Sequence, residues 1–187
     1  MIERIFGTII NIVICSFKLC FLKLFHFSKF KYNMINKISV FSSIRIRDNA
    51  KITIGKNTNI ESNTIISSLK NGQIIINNNV FINRNCYIVS HKMIELGKNV
   101  IIGPNVVIVD HDHLIDKNGI NRKKFDVKEI LIGENTWIGA NCVILKGSKI
   151  GKNCVIGAGS VIKGDIPNNT IYISKGNKII KKIGDVK

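Results

Sequence analysis

Apolar side chains recur every six residues through the second half of the chain, and a small residue lies four positions after most of them. The series contains Ile132, Ile138, Ile144, Ile150, Ile156 and Ile162. Since an α-helix turns by about 100° per residue, side chains six apart would not share a face, whereas six is a multiple of the two-residue period of a strand. Glycine follows four of these isoleucines, and glycine weakens a strand interior. The pattern therefore predicts short strands that bend at regular corners, which is a coil.

The same register occurs earlier in the chain in groups of three, and we expect each group to form one complete turn. The groups are Ile54, Ile60 and Ile66; Ile76, Ile82 and Ile88; and Leu96, Ile102 and Ile108. With strands about 4.8 Å apart, five or six turns would make a prism about 25–30 Å tall. Hexapeptide repeats of this kind predict an all-β fold, a parallel β-helix.

The register is lost between Ile108 and Ile132. The intervening residues 109–131 are polar and charged, with Gly119 at an expected turn. Long excursions from a rigid scaffold usually serve binding or catalysis. We therefore expect an active-site loop over residues 109–131.

Composition changes this picture little. The 187 residues suit a single domain, and a hydrophobic content of 45% excludes a disordered chain. Lys and Arg number 28 against 12 Asp and Glu, a net charge of +16, which raises the question of an anionic partner. Lysine is spread through the whole sequence without a nucleic-acid-binding motif, so we do not expect nucleic acid as that partner.

The five cysteines contain no C-x-x-C pair and no zinc spacing. Cys86, Cys142 and Cys154 fall on the small-residue position of the repeat, where cysteine acts as a compact apolar filler. We expect them to be buried thiols in a reducing compartment.

The N-terminal segment is apolar and basic. Its uncharged run, residues 5–17, is shorter than the roughly 18–20 apolar residues that a spanning helix needs. Phe17, Phe21 and Phe25 recur at intervals of four and lysines flank them, as in helices that lie in a membrane surface. Two interpretations stay open: residues 1–31 contact a membrane peripherally, or the helix caps the open end of the coil.

We therefore divide the chain into three parts. Residues 1–37 form an N-terminal helical segment, residues 38–166 the β-helix domain with its loop, and residues 167–187 a basic C-terminal tail or short helix.

Three stretches resemble the hexapeptide-repeat acyltransferases, and in particular the galactoside, maltose and polysaccharide O-acetyltransferase group. They are GPNVVIVDHDHLID (103–116), ILIGENTWIGANCVILKGSKIG (130–151) and GAGSVIKGDIPNN (157–169). The resemblance implies that the β-helix is left-handed. It also implies a homotrimer with active sites in the clefts between neighbouring subunits, and acetyl-CoA as co-substrate without a metal.

Direct acetyl transfer to a hydroxyl needs a base, and histidine titrates in the right range. His111 and His113 are two residues apart and could lie on the same side of an extended strand. The resemblance assigns the base to His113, which stands nine residues after Pro104 and 24 before Trp137. His111 is the second candidate.

The resemblance assigns further roles. Asn83, His91 and His111 would bind the acceptor, and the backbone N–H of Ala140 would stabilise the oxyanion. The positions that would line the cleft or bind CoA are Trp137, Ala158, Lys163, Lys178 and Lys181. Asparagine also suits corners with positive φ, so Asn83 and Asn77, at the same repeat position, have a structural interpretation too.

Two departures from the family pattern concern these assignments. His91 stands where the galactoside enzyme has an acceptor-binding aspartate. The stretch from Ser174 to Lys178 lacks the family's proline. We therefore expect the CoA-binding loop to differ in shape or to bind CoA less tightly.

The sequence thus predicts a cytoplasmic, acetyl-CoA-dependent O-acetyltransferase, peripheral at the inner face of the membrane. Its acceptor would be a bacterial surface glycan such as a capsule, O-antigen or exopolysaccharide. The alternatives are an N-acetyltransferase of an amino-sugar nucleotide, a zinc enzyme like the carbonic anhydrases with ligands from His91, His111 and His113, and a scaffold without activity.

Overall fold

The computed structural model describes residues 2–33, 36–116 and 119–174. One helix, α1 (Ile2–Phe25), precedes a coil of short strands whose three faces are parallel sheets. The first face contains β1 (Phe30–Tyr32), β4 (Lys51–Ile54), β7 (Gln73–Ile76), β10 (Met93–Leu96), β15 (Ile130–Ile132), β18 (Lys149–Ile150) and β21 (Asp165–Ile166).

The other two faces follow the same order along the coil. The second face contains β2 (Lys37–Ile38), β5 (Asn59–Ile60), β8 (Phe81–Ile82), β11 (Ile101–Ile102), β16 (Trp137–Ile138), β19 (Val155–Ile156) and β22 (Ile171–Tyr172). The third face contains β3 (Ser43–Ile46), β6 (Ile65–Ser68), β9 (Tyr87–Ser90), β12 (Val107–Val109), β17 (Val143–Leu145) and β20 (Val161–Ile162). The faces therefore stack six complete turns and the first two strands of a seventh.

The predicted groups of three are confirmed as turns. Ile54, Ile60 and Ile66 end or lie in strands of the first, second and third faces, and Ile54 pairs directly with Ile76 of the next turn. The coil begins before the repeat is visible in the sequence, because Phe30 in β1 pairs with Ile52.

Isoleucine fills the interior, and small residues fill the corners. The predicted thiol fillers are confirmed, since Cys86, Cys142 and Cys154 are free and buried. Hydroxyl groups at the equivalent positions are satisfied by backbone carbonyls: the Thr64 hydroxyl donates to the oxygen of Asn83 at 2.9 Å. Each fully buried isoleucine contributes about 1.5–3 kcal/mol to stability, so the stacked isoleucines stabilise the coil.

Asparagine occupies the corners in the left-handed backbone region, but two residues later than predicted. The positive φ values belong to Asn79 and Asn85, both 60°, rather than to Asn77 and Asn83. Asn77 and Asn83 do lie at corners, but the interpretation that they adopt positive φ is wrong. At the corners between the first and second faces, the amides also form a ladder along the coil, in which Asn135 accepts from Asn99 at 2.8 Å and donates to Asn153 at 3.2 Å.

Helix α1 packs over the first end of the coil. Cys15 and Leu19 are buried and belong to the same core as the strands. The Lys18 ammonium donates to the carbonyl of Ser42 at 2.5 Å, and further to those of Ser39 and Val40. These contacts fit the capping interpretation of the helix. No helix in the described part of the chain is long and apolar enough to cross a bilayer.

At the other end, β22 continues the second face beyond the predicted end of the coil domain at residue 166. Residues 175–187 of the predicted tail, with Lys178 and Lys181, lie outside the described residues.

Candidate active site

The interruption between β12 and β15 is a projecting antiparallel hairpin. Strand β13 (His111–Asp116) pairs with β14 (Gly119–Val127), with Asp112 opposite Asp126 and His113 opposite Phe125. The register shifts between His113 and Leu114, as at a bulge, a feature that re-aims side chains near many active sites. The hairpin leaves the coil at the edge where the third face meets the first, which we call the histidine edge after His91 and His111.

Asp110 anchors the base of the hairpin. Its carboxylate is completely buried and accepts four hydrogen bonds. The donors are the Ser90 hydroxyl at 2.7 Å, the backbone N–H groups of His91 and Lys92, both at 2.8 Å, and Nδ1 of His111 at 3.2 Å. Burial opposes the charged form, but these donors outweigh it and lower the pKa of Asp110. A buried carboxylate is therefore kept ionised beside the histidines.

His111 is oriented by that carboxylate. Its side chain is 17% exposed, and its Nδ1 lies 3.2 Å from Oδ1 of Asp110. Because a carboxylate only accepts, the proton belongs on Nδ1, which leaves Nε2 as an acceptor. The His111 ring also stacks on that of His91, with centroids 4.0 Å apart and planes at 18°.

His113 is exposed on the hairpin and is held differently. Its Nδ1 lies 3.3 Å from the carbonyl oxygen of Asn121, and its ring is 4.6 Å from that of Phe125. A carbonyl oxygen also only accepts, so the same tautomer with a free Nε2 follows. Both candidate bases are therefore arranged to take a proton on Nε2.

His91 completes the cluster but lacks a partner for its ring. Its Nδ1 is buried and has no hydrogen-bond partner in the parts of the chain that are described. Burial, with the nearby His111, lowers the pKa of His91, so its ring is neutral at physiological pH. The Phe125 ring lies edge-on to His91 at 4.5 Å and under the Lys70 ammonium at 4.4 Å. Beside these residues a cavity of about 390 Å³ opens between the hairpin and the third–first corner.

Lys146 ties the hairpin to the coil. It follows β17 in the next turn, and its ammonium is 2.9 Å from the carboxylate of Asp112 and also bonds Asp126. Like charges directly opposite each other destabilise a strand pair, and Lys146 neutralises this one. Burial would lower the pKa of Lys146, but Asp126 and Asp112 outweigh it and raise the pKa.

The remaining predicted residues lie elsewhere on the prism. Trp137 lies outside the row of inward-pointing isoleucines on the second face and is 52% exposed. Ala140 and Ala158 follow β16 and β19 at the corner between the second and third faces, and Asn83 lies at the same corner. We call this corner the alanine edge. Lys163 follows β20 and so lies at the histidine edge, and Lys178 and Lys181 are outside the described residues.

One whole face separates the two edges within a chain. From Ala140 at one edge to Lys146 at the other, the backbone crosses the third face through β17. Six residues span at most about 20 Å when fully extended, and here the three residues of β17 are flanked by turns. Within one chain, the histidine edge and Ala140 therefore lie on opposite sides of the third face.

Asn83 is engaged in its own corner. Its Oδ1 accepts from the backbone N–H of Arg84 at 2.8 Å, and its carbonyl accepts from Thr64. The structure therefore places Asn83 at the alanine edge rather than beside His91 and His111, the other residues predicted to bind the acceptor.

A second, larger groove of about 730 Å³ runs along the edge between the first and second faces. Its walls carry both signs of charge, as in the pair of Lys152 and Glu134 at 2.9 Å. It lies away from the histidine cluster. Among the described residues, no group of three or more His, Cys, Asp or Glu side chains is arranged to hold a metal ion.

Three residues of the site were not predicted from the sequence. Asp110 and Phe125 lie inside the interval 109–131, where Phe125 is an aromatic residue between charged ones. Lys146 lies fifteen residues beyond that interval. The polar first residue of D-H-D-H directly after an apolar strand was a usable signal for Asp110, whereas pairing across the hairpin carries no local signal.

Two family models match the chain. "Bacterial transferase hexapeptide (six repeats)" matches residues 129–164, and "Hexapeptide repeat of succinyl-transferase" matches residues 73–109. The intervening hairpin lies between the two matches.

Similar proteins include both O- and N-acyltransferases. The chain is 38% identical over 53 residues to WbbJ of Escherichia coli K12, whose name describes a lipopolysaccharide biosynthesis O-acetyl transferase; this match covers 28% of the chain and 27% of that relative. It is 30% identical to a maltose O-acetyltransferase from Clostridium difficile 630, over 80% of this chain and 71% of that one, with a TM-score of 0.50. A variant of AntD, an N-acyltransferase from Bacillus cereus in complex with dTDP and coenzyme A, is 22% identical over 86% of both chains, with a TM-score of 0.67.

Proposed function

We propose that this chain, which belongs to the hexapeptide-repeat acyltransferase family, transfers an acetyl group from acetyl-CoA to a hydroxyl of a bacterial surface glycan. The observation that carries the proposal is the histidine edge, where His111 and His113 each have Nδ1 beside a hydrogen-bond acceptor, which leaves Nε2 as the basic nitrogen of the neutral ring. A sugar hydroxyl attacks only once its proton has an acceptor, and a neutral imidazole supplies one.

His113 is the proposed base. Acetyl-CoA, when bound, supplies an activated acetyl thioester. Nε2 of His113 removes the hydroxyl proton as the oxygen bonds to the thioester carbonyl carbon, and the backbone N–H of Ala140 donates to the developing oxyanion. His113 then returns the proton to the leaving sulfur, so the site ends as it began. His111, held by Asp110, is the second candidate for the same role.

The acceptor is proposed to lie against the histidine edge. The cavity of about 390 Å³ is lined there by His91, Phe125 and Lys70. An aromatic ring beside polar groups suits a sugar ring, which has an apolar face and hydroxyl groups at its rim. His91, His111 and, from the alanine edge, Asn83 are the proposed acceptor-binding residues.

A second copy of the chain is needed to complete this site. The base and the oxyanion donor lie on different edges, with the third face between them. In a homotrimer, the histidine edge of one subunit meets the alanine edge of its neighbour, with Trp137 near the cleft. The CoA contacts are proposed at Ala158, Lys163, Lys178 and Lys181, where ammonium groups suit phosphates.

Complementation tests this arrangement directly. His113→Ala and Trp137→Ala, each expected to be inactive or nearly so, are co-expressed with different affinity tags, and the mixed oligomers are purified. In a purified mixed trimer one of the three sites combines intact residues from two subunits, which should restore about a third of wild-type activity. Mixed oligomers that stay as inactive as each variant alone would show that the two residues do not share a site.

The acceptor class is tested by incubating the protein with acetyl-CoA and a panel of acceptors, followed by mass spectrometry of the products. We expect acetylation of hydroxyl-bearing surface glycans, with the lipid-linked form presented at the inner face of the cytoplasmic membrane. If only amino-sugar nucleotides were acetylated, the acceptor group would be an amine and not a hydroxyl, and the protein would be an N-acetyltransferase. Absence of transfer to every acceptor would contradict the proposal.

A further inference from the structure

The side of α1 that points away from the coil is apolar. Its large side chains are Ile10, Val13, Ile14, Phe17, Phe21 and Leu24, and Phe17 and Leu24 are each 76% exposed. The opposite side of the same helix is buried in the core through Cys15 and Leu19. A helix that only caps a repeat coil needs a polar outer face. Capping therefore explains one side of α1 and leaves the other unexplained.

The exposed apolar residues form a continuous stripe. From Ile10 to Leu24 they extend along about 20 Å of helix. Phe27 in the following turn and Phe41 near the start of β3 are also exposed, and the residues on either side of Phe41 accept hydrogen bonds from Lys18. Single exposed apolar residues are normal on protein surfaces, but a contiguous stripe of this size marks an interaction surface.

The part of the chain that carries the stripe is basic. Between residues 4 and 47 the sequence contains eight Lys or Arg residues and no Asp or Glu. On a helical projection of about 100° per residue, Lys18 and Lys23 fall on the two borders between the buried and exposed sides of α1. Lysine at such borders places its stem along apolar surface and its ammonium at a polar boundary.

We propose that this outer side of α1 lies in the plane of an anionic lipid bilayer, with the stripe in the acyl boundary and the lysines at the headgroups. An apolar stripe flanked by cations is the chemistry of interfacial helices, and anionic headgroups complement the uninterrupted positive charge. The hydrogen bonds from Lys18 to the coil backbone hold α1 against the coil, so binding through α1 would attach the whole prism to the membrane surface. The inference does not depend on the proposed transfer reaction.

The test uses the full-length protein and sedimentation with vesicles of phosphatidylcholine, with and without phosphatidylglycerol. We expect binding to the anionic vesicles that weakens as salt rises. Phe17→Ser/Phe21→Ser/Leu24→Ser should lower the partition coefficient at least about tenfold, and Lys23→Gln/Lys31→Gln should lower it about tenfold on anionic vesicles only. The matched control is Ile115→Ser/Ile120→Ser, which removes two exposed apolar residues from the hairpin and should bind as wild type.

The substituted side chains are exposed, except that of Lys23, which is half-buried at the border of α1, so each variant should unfold close to the wild-type temperature. The inference is overturned if the wild type does not bind, if the triple variant binds equally well, or if neutral and anionic vesicles bind alike. It is also overturned if the triple variant loses subunits in light scattering, since a second copy would then cover the stripe. A protein that binds vesicles but transfers no acetyl group would contradict the proposed function and leave this inference standing.

Discussion

Replacing Asp110 by Asn should destabilise the whole coil, although the substitution changes no shape. The two carboxylate oxygens together accept four hydrogen bonds, from Ser90, His91, Lys92 and His111. An amide keeps one acceptor oxygen and turns an NH2 group toward donors that include a backbone N–H. Hydrogen bonds to a charged group are worth about 1.5–3 kcal/mol each, and a buried donor left unpaired adds its desolvation cost. We therefore expect the free energy of unfolding to fall by about 2–5 kcal/mol.

The measurement is urea unfolding followed by tryptophan fluorescence, at one subunit concentration because assembly contributes to apparent stability. Asp165→Asn is the matched control, since Asp165 is an exposed carboxylate at the end of the first face. The two variants should differ by at least about 2 kcal/mol. If Asp110→Asn unfolds within about 0.5 kcal/mol of the control, the buried carboxylate does not organise the hairpin base and the reasoning fails.

The stability difference between wild type and Asp110→Asn should also depend on pH in a defined direction. Because the folded-state pKa of Asp110 is lowered from the ordinary 3.8, its contribution is fully present above that value and is lost as pH falls through the folded-state pKa. Asn does not titrate, so the difference between wild type and Asp110→Asn should shrink as the pH falls below about 4. The comparison is confined to pH values below about 5, because Asp110 also opposes the lowering of the His91 pKa by burial, and its loss changes the titration of His91 at higher pH. A difference that grows as the pH falls below about 4 would contradict the assignment.

Other predictions concern the corners and the hairpin. Asn135→Gly and Asn135→Ala both lose the two ladder bonds, but only glycine adopts the positive φ without strain. In thermal unfolding the Ala variant should therefore be less stable than the Gly variant by about 1 kcal/mol. Equal stabilities would show that the backbone is not strained there. Lys146→Met leaves Asp112 and Asp126 opposed without a cation and should lower kcat at least about tenfold, with partial recovery in Lys146→Met/Asp112→Asn. Lys149→Met, which loses only a 3.7 Å contact with Glu129, is its control, and equal kcat values in the two single variants would exclude a positioning role for Lys146.

The coil itself was predictable because every repeat has the same order of interior apolar residue, corner and small residue. A side chain six residues on enters the interior from the next face, so Ile132, Ile138 and Ile144 mark the three faces in turn without knowledge of any contact. Ile150 then returns to the row of Ile132. The same periodicity shows Cys142 and Cys154 as interior and Trp137 as exterior. The positive φ values were misplaced by two residues within the corners, because the sequence shows that a bend is present but not which of its residues adopts the left-handed backbone.

The site was predictable only in part. The histidines were identifiable as residue types suited to proton transfer, and the pair in one strand follows from their spacing of two. Their environment depends on pairing between distant residues: Phe125 reaches His113 across the hairpin, His91 stacks on His111 from the preceding turn, and Lys146 comes from the following turn. Such contacts are set by register along the coil axis and by the hairpin bulge, neither of which a local pattern encodes.

The central claim, that the histidine edge supplies the base for acetyl transfer, is tested most directly by kcat for acetylation of the glycan acceptor in His113→Ala and His111→Ala. Loss of a general base typically costs about 10²–10⁴-fold. We predict a loss of that size in His113→Ala with unchanged urea unfolding, and a kcat within about tenfold of wild type in His111→Ala. Near-normal transfer by His113→Ala would contradict the account, whether or not His111→Ala is impaired.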